Sequence, residues 1–287
     1  MLGEEYEGRR VVQAVHSDCN WLQVLEGDID SSHFGFLHLG HLSPQDAPEG
    51  SFVRHMVEDR APRYKVVDTE FGASYGAYRP AGNEHEFYWR IAHYLFPFYT
   101  MAPLGLLGGS PAFLARVPLD DHRTMNYFVL TSSQLGRPVP VDGSAIGQML
   151  PNTTDWFGRF RSTRSLANDY KIDREAQRSG RSYTGIEGIA TQDQAMTESM
   201  GPIMDRTAEH LGSADVMVIR VRRRLLRALR AFGGNGTPPP GVDAPDVYRQ
   251  RAGGVVLPTD ADWLDSTRAL RAGTARQELD PALAAGV

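Results

Sequence analysis

Between Tyr64 and Leu130 the chain carries one strand pattern after another, with no helix-length interval between them. Phe87, Trp89 and Ile91 alternate with Tyr88, Arg90 and Ala92, the period-two pattern of a strand with two different faces. Two further runs, Ala112 to Val117 and Thr124 to Leu130, follow at hairpin distances, punctuated by Pro118, Asp120 and Asp121. Strands joined by turns rather than crossover helices make an antiparallel sheet. Another short strand is expected over Val11 to Val15. Helical spacing appears from Asp193, and a long helix carries Val218, Val221, Leu225 and Leu229 on one stripe until GGNGTPPPG, Gly233 to Gly241, stops it. The chain is therefore read as α+β, with helices packed on a mostly antiparallel sheet.

The intervals are less regular. Cys19 to Leu39 mixes apolar and acidic residues at helical spacing, and His41 to Ala61 reads as a loop. Pro138 to Gly185 is a long polar segment, more often functional than idle in a compact domain. Val247 to Trp263 reads as a short ordered piece. Residues 1–265 are expected to form one domain and 266–287, rich in Ala, Arg and Gly, a flexible tail. A 41% hydrophobic share over 287 residues is ample for a core. A net charge of −5 disfavours a nucleic-acid partner. The single cysteine, Cys19, excludes an internal disulfide, a four-cysteine zinc or iron–sulfur site and a Rieske cluster within this sequence. It favours a reducing, cytoplasmic setting. The N-terminus, MLGEEYEGRRVVQ, has no apolar stretch of a targeting signal. Phe87 to Leu107 is broken by Arg90 and His93, so no membrane span is expected.

The sharpest local pattern is Glu26-Gly-Asp28-Ile-Asp30-Ser-Ser-His33-Phe-Gly-Phe-Leu-His38. Two histidines with carboxylates just upstream make a candidate metal site, since neutral imidazole suits iron, zinc and copper. On a regular helix five residues turn through about 140°, so His33 and His38 would face different ways. Convergence on one ion needs a π-bulge or a break between them, which Gly35 would ease. Asp30 and Glu26, each one turn earlier, are placed to hold a ring N–H of a liganding histidine. The zinc-protease pattern HExxH does not fit. A third ligand would be a carboxylate on another element. Asp193 opens the later helical pattern, where spacing alone favours a helix N-cap over a ligand.

Other features have simpler readings. The arginines between Arg220 and Arg230 make the solvated face of an amphipathic helix. Phe87, Trp89, Phe96, Phe98 and Tyr99 are sheet core, with pocket lining as an overlapping role. Trp156 and Phe157 are candidates to cap a substrate pocket. Met196 and Met200 share a helix face as core residues or a pocket wall. Cys19 is a buried small hydrophobe, and Asp120, Asp121 and His122 form a polar hairpin turn.

NWLQVLEGDIDSSHFGFLH, Asn20 to His38, resembles the mononuclear-iron motif of Rieske-type aromatic-ring oxygenases, Asp-x-x-His-x4-His, with Asp30, His33 and His38. Asn168 to Asp215 and Pro238 to Pro258 resemble the phthalate and phenoxybenzoate branch of that family, so the resemblance runs to about Trp263. It implies a helix-grip fold, a curved antiparallel sheet wrapped around a long helix with a substrate cavity. It implies Fe(II) held by His33, His38 and Asp193. Asp30 would hydrogen-bond the first histidine and link it to a Rieske cluster in a neighbouring subunit. Expected partners are an aromatic substrate, dioxygen, a ferredoxin or Rieske domain, a reductase and, in a ring of three, other copies of the chain. The sequence lacks the Cys-x-His and Cys-x-x-His pairs of a Rieske domain. The [2Fe–2S] cluster is therefore expected in trans or in a missing N-terminal domain. The expected reaction is dihydroxylation, hydroxylation or O-demethylation. The rivals are a non-catalytic helix-grip ligand-binding module with a vestigial metal site, and a zinc hydrolase.

Overall fold

A computed structural model describes residues 10–109, 111–131 and 146–274. The strands are β1 (Arg10–Ser17), β2 (Arg63–Thr69), β3 (Gly72–Pro80), β4 (Glu86–Leu95), β5 (Tyr99–Met101), β6 (Phe113–Asp120), β7 (Arg123–Thr131) and β8 (Gly253–Pro258). The α-helices are α1 (Trp21–Asp28), α2 (Phe52–Glu58), α3 (Arg174–Arg178), α4 (Ile189–Ser199), α5 (Val216–Asn235), α6 (Trp263–Ser266) and α7 (Arg268–Arg271).

The strands form one antiparallel sheet in the order β1-β7-β6-β5-β4-β3-β2, with β8 also paired to β4. Alternation sorts the side chains of β3 and β4 onto two faces. On one, Ala73, Tyr75 and Ala77 with Ala92 and Tyr94 pack against Leu25 and Ile29 of α1 and Met217, Val218 and Val221 of α5. The small alanines let both helices approach closely. On the other, Trp89 and Ile91 pack with Leu107, Val255, Leu257 and Trp263. The sheet thus grips α5, whose expected stripe is in place, although Leu229 at its far end is exposed. Gly236, at φ 75°, ends the helix in the left-handed conformation. Arg223, Arg227 and Arg230 are exposed, as a solvated face requires, whereas three others are paired: Arg220 and Arg224 face Asp68, and Arg222 binds Glu26 and Glu209.

Three expectations change. The loop expected over His41 to Ala61 contains α2, capped by Ser51 and packed through Phe52, Val53, Met56 and Val57 on Tyr88. Residues 266–274 of the expected tail are folded: Thr267 is buried, and Arg251 N–H donates to the Arg271 carbonyl at 2.8 Å. Residues 275–287 lie outside the described residues. Phe87, Trp89, Phe96, Phe98 and Tyr99 belong to the sheet core, as expected, but to separate clusters, so they do not share the one pocket surface of the overlapping role. Cys19 is fully buried, and burial together with Glu198 pushes its thiol up to about 12, so it is an inert hydrophobe. Asp120 accepts from the His122 backbone and pairs with Arg123, closing the expected turn. No helix among the described residues is long and apolar enough to cross a membrane.

Candidate metal centre

Asn20 caps α1 by accepting from the Leu22 backbone at 3.0 Å. Beyond the helix, the Asp30 carboxylate accepts from the backbone N–H groups of Ser32 at 2.7 Å and His33 at 3.1 Å, and so opens the next turn. That turn, Phe34–His38, is a π-helix, closed by Leu39 N–H on the Phe34 carbonyl at 3.1 Å. The wider turn brings both histidines to one side, with ring centroids 5.0 Å apart. Gly35 keeps a negative φ, so left-handed freedom is not its contribution. A Cβ there would lie 3.3 Å from the Met56 carbonyl and 3.4 Å from the Arg60 side chain. The tighter position is Gly40, where a Cβ would meet the Phe36 carbonyl at 2.2 Å. Arg60 donates to the carbonyls of Gly35 within the π-turn and of Leu39 and Leu42 just beyond it.

Asp193 comes from α4. This helix starts at Ile189, with Gly188 in the cap position, so Asp193 lies a turn inside and is not an N-cap. The helix is held to α1 by Gln23, which donates to the carbonyls of Thr197 and Gly201 and accepts from Met204 N–H. Glu198 accepts from Asp18 N–H and from the buried Tyr170 hydroxyl.

The structure brings His33, His38 and Asp193 together, one donor atom from each lying within 4.8 Å of the others. Asp193 Oδ1 is 3.1 Å from His38 Nε2 and 3.6 Å from His33 Nε2. Two donors at right angles about 2.1 Å from one ion lie about 3 Å apart, so this spacing suits a metal. His38 Nε2 is buried and has no hydrogen-bond partner. Two imidazoles and one carboxylate form the donor set of mononuclear iron sites that keep open positions, and the residues fit such a group. The histidine nitrogens turned away from Asp193 each face an oxygen, His38 Nδ1 within hydrogen-bond distance and His33 Nδ1 at ion-pair distance. His33 Nδ1 faces Asp30 Oδ2 at 3.5 Å, and His38 Nδ1 lies 2.6 Å from Gln192 Oε1. Burial pulls the pKa of His33 down, but the Asp30 hydrogen bond and the charges of Asp193 and Asp30 outweigh it, so it is raised. Burial pushes Asp30 up, and the His33 contacts with the two backbone donors more than reverse it, so it is lowered.

Glu26 is not at this site; it accepts from Arg206 and Arg222. Met196 and Met200 share the face of Asp193 on α4 but are exposed, so they are not core. Trp156 is exposed with Arg159 over its ring, and Phe157 packs on His16 and Arg123, on β1 and β7.

Sequence reasoning missed Arg60, Gln192 and a pair of interior arginines. Arg79 and Arg90 lie on the same face of β3 and β4, in the register that pairs Arg79 with Tyr88 and Ala77 with Arg90. They are 1% and 6% exposed. Arg90 donates to Ser31 Oγ at 3.0 Å and stacks 4.7 Å from the centre of the Phe34 ring, which in turn contacts His38. Arg79 Nε and Nη2 are buried without a partner, and burial beside the like charge of Arg90 lowers its pKa to about 10. The inward register of Tyr75, Ala77 and Arg79 was a signal available in the sequence.

A family model described as LigXa C-terminal domain like matches residues 4–284. The 3-chlorobenzoate-3,4-dioxygenase oxygenase subunit of Comamonas testosteroni is 43% identical over 255 residues, covering 85% of this chain and 59% of that protein. The phthalate 4,5-dioxygenase oxygenase subunit of Pseudomonas putida is 35% identical over 222 residues, covering 75% and 49%. The chain thus spans about half to three-fifths of the length of these curated relatives. The solved structure of dicamba monooxygenase bound to 3,6-dichlorosalicylic acid aligns with a TM-score of 0.43 at 12% identity, covering 79% of this chain and 61% of that one.

Proposed function

The chain belongs to the LigXa C-terminal domain like family, and we propose that it is the oxygen-inserting catalytic domain of a Rieske-type aromatic oxygenase, with His33, His38 and Asp193 holding Fe(II). The observation that carries this reading is the convergence of three donor atoms within 4.8 Å, one of them the unpartnered, buried His38 Nε2. An Fe(II) ion bound there supplies the redox chemistry that activates dioxygen for insertion into an aromatic substrate, with electrons from a [2Fe–2S] Rieske cluster outside this sequence. Ferredoxin and reductase components would complete that supply in the cytoplasm, and a trimer of such chains is the proposed assembly.

The protein's own residues have distinct tasks in this reading. His38, 2% exposed at its side chain, anchors the dry side of the site, while Asp193, 44% exposed, borders the open side. Asp30, 3.5 Å from His33 Nδ1, favours the ring proton on that side, away from the ligand nitrogen. Trp156, Met196 and Met200 are proposed to border the substrate entrance.

Arg79 and Arg90 point to the substrate's charge. A buried guanidinium with unpartnered donors is costly unless an anion completes it. Arg90 reaches the site through Phe34 and Ser31, so a carboxylate on these arginines would place an attached ring beside the triad. An aromatic carboxylic acid is the substrate class that satisfies both features, and the names of the two curated relatives are of that class.

Metal analysis of protein purified without air tests the proposal. Near-stoichiometric iron is expected in the wild type and its loss in His33→Ala and Asp193→Ala, with circular dichroism unchanged. Zinc in its place, or a folded wild type with no metal, overturns it. Reductase alone should support no turnover, and product should form only when a Rieske component is added.

A further inference from the structure

We infer that Gln192 sets the tautomer of His38 and so makes Nε2 its ligand nitrogen, a positioning role that rests on the metal reading of the triad. The orientation of the Gln192 amide is the starting point. Its Nε2 lies 2.8 Å from the Ile186 carbonyl and 3.1 Å from Thr184 Oγ1. A carbonyl oxygen only accepts, so the NH2 end must face Ile186, and the amide oxygen must face His38. That oxygen is 2.6 Å from His38 Nδ1 and also only accepts. Nδ1 therefore carries the proton. A neutral imidazole has one proton, so Nε2 presents a bare lone pair.

The opposite tautomer fails on the same distances. It would set a lone pair on Nδ1 against the Gln192 oxygen at 2.6 Å. With Nδ1 protonated, the Nε2 lone pair faces Asp193 Oδ1 at 3.1 Å without a hydrogen bond between them. Two acceptors at that distance repel unless a cation lies beside both. The protonation pattern and the approach of Asp193 therefore ask for the same thing.

The arrangement is built by one stretch of chain. Gln192 and Asp193 are consecutive on α4, about 100° apart around the helix, and reach opposite nitrogens of one ring. The Ile186 carbonyl that aims the amide belongs to the preceding turn. That turn is fixed by Asp173 N–H on the Gly185 carbonyl at 2.8 Å and by Ile186 N–H on Thr184 Oγ1 at 3.0 Å. Gly185 has φ 69°, and a Cβ there would come within 2.6 Å of the Asp173 carbonyl. The turn, the amide, the ring and the ligand atom form one chain of orientation.

Histidine nitrogen NMR on the metal-free, 15N-labelled protein at mildly alkaline pH reads the tautomer directly. The His38 signals are identified by their absence in His38→Ala. The wild type is expected to hold the proton on Nδ1. Gln192→Met should release it into a mixture, while Gln192→Glu, which keeps an acceptor at that place, should retain it. Anaerobic Fe(II) titration should show Gln192→Met binding about 10- to 100-fold more weakly and Gln192→Glu near wild type. A wild type with the proton on Nε2 overturns the inference, as does a Gln192→Met variant unchanged in both tautomer and affinity. If Gln192→Met does not fold, the wild-type spectrum and Thr184→Val, which removes one of the two groups aiming the amide, decide the matter. A wild type that holds Nδ1–H but takes up no iron overturns the metal reading and leaves the tautomer assignment standing.

Discussion

His33 and His38 are five residues apart in sequence, yet their ring centroids are 5.0 Å apart and both Nε2 atoms face Asp193. A regular α-turn would separate them by about 140° around the helix axis. The π-turn over Phe34–His38 removes that separation. Its stability is therefore a condition of the convergence of His33 and His38 on Asp193.

Arg60 is the residue that most directly stabilises that turn, because it donates to three carbonyls in and just beyond it. Arg60→Ala leaves those carbonyls without a charged donor. At about 1.5–3 kcal/mol for a hydrogen bond to a charged group, with water replacing part of the loss, we expect roughly 2–4 kcal/mol less stability. Arg60→Lys should not rescue it, since a point charge cannot span three acceptors. Urea unfolding and iron retention after gel filtration measure both effects. A variant as stable and as iron-rich as wild type would refute this role.

Asp30→Asn keeps the shape and one of the two backbone hydrogen bonds but removes the charge facing His33 Nδ1. Iron affinity should fall about 10- to 100-fold, the usual cost of losing a partner behind a liganding histidine. The resemblance to Rieske oxygenases also gives Asp30 a part in electron delivery. Turnover of the iron-saturated variant in a reconstituted system should then remain depressed. Full recovery on adding iron would confine Asp30 to holding His33.

What the sequence disclosed follows how local each signal was. Strands β4, β6 and β7 were legible because Phe87, Trp89 and Ile91 alternate and Pro118 and Asp120 mark a turn. Helix α5 was legible from one apolar stripe. Helix α2 was not, because seven residues between Pro48 and Pro62 look like a loop until Phe52 and Met56 are seen against Tyr88. At the site, the spacing of His33 and His38 required a distorted turn, and the structure has one. Asp193 was ambiguous because cap and ligand share one residue type, and only the start of α4 at Ile189 removes the first. The place of Gln192 depends on the Ile186 carbonyl, a tertiary contact with no signature in the sequence.

Arg79→Met should act in opposite directions on stability and on binding. An unpartnered interior cation destabilises the ligand-free fold, and an apolar replacement of similar length removes that penalty. The melting temperature of the ligand-free protein should rise by several degrees. Binding of an aromatic carboxylate such as benzoate or phthalate should weaken at least tenfold by calorimetry, while a neutral aromatic loses little. A lower melting temperature with unchanged carboxylate affinity would assign Arg79 a structural role instead.

His16 and His93 give the fold a defined acid sensitivity away from the metal centre. Burial is the main cause of the lowering of both to about 4, with Arg161 and Arg123 adding to it at His16 and Arg271 at His93. Asp18 and Asp120 oppose it at His16, and the Arg251 carbonyl opposes it at His93. His93 Nε2 donates to that carbonyl at 2.9 Å, and Nδ1 accepts from Ser74 at 2.8 Å, so the neutral ring is fully used. Between pH 6.5 and 4 the unfolded chain binds these protons and the folded chain does not. Stability is therefore complete above 6.5, falls as pH drops through this window and gains no further loss from these groups below 4. Each histidine contributes up to ~3 kcal/mol across the window. Urea midpoints at pH 7.5, 6.5, 5.5 and 5 should decline in the wild type. The double variant His16→Gln, His93→Gln should show a much shallower decline over the same range, whatever its stability at pH 7.5. Equal slopes in the two proteins would place the acid sensitivity elsewhere.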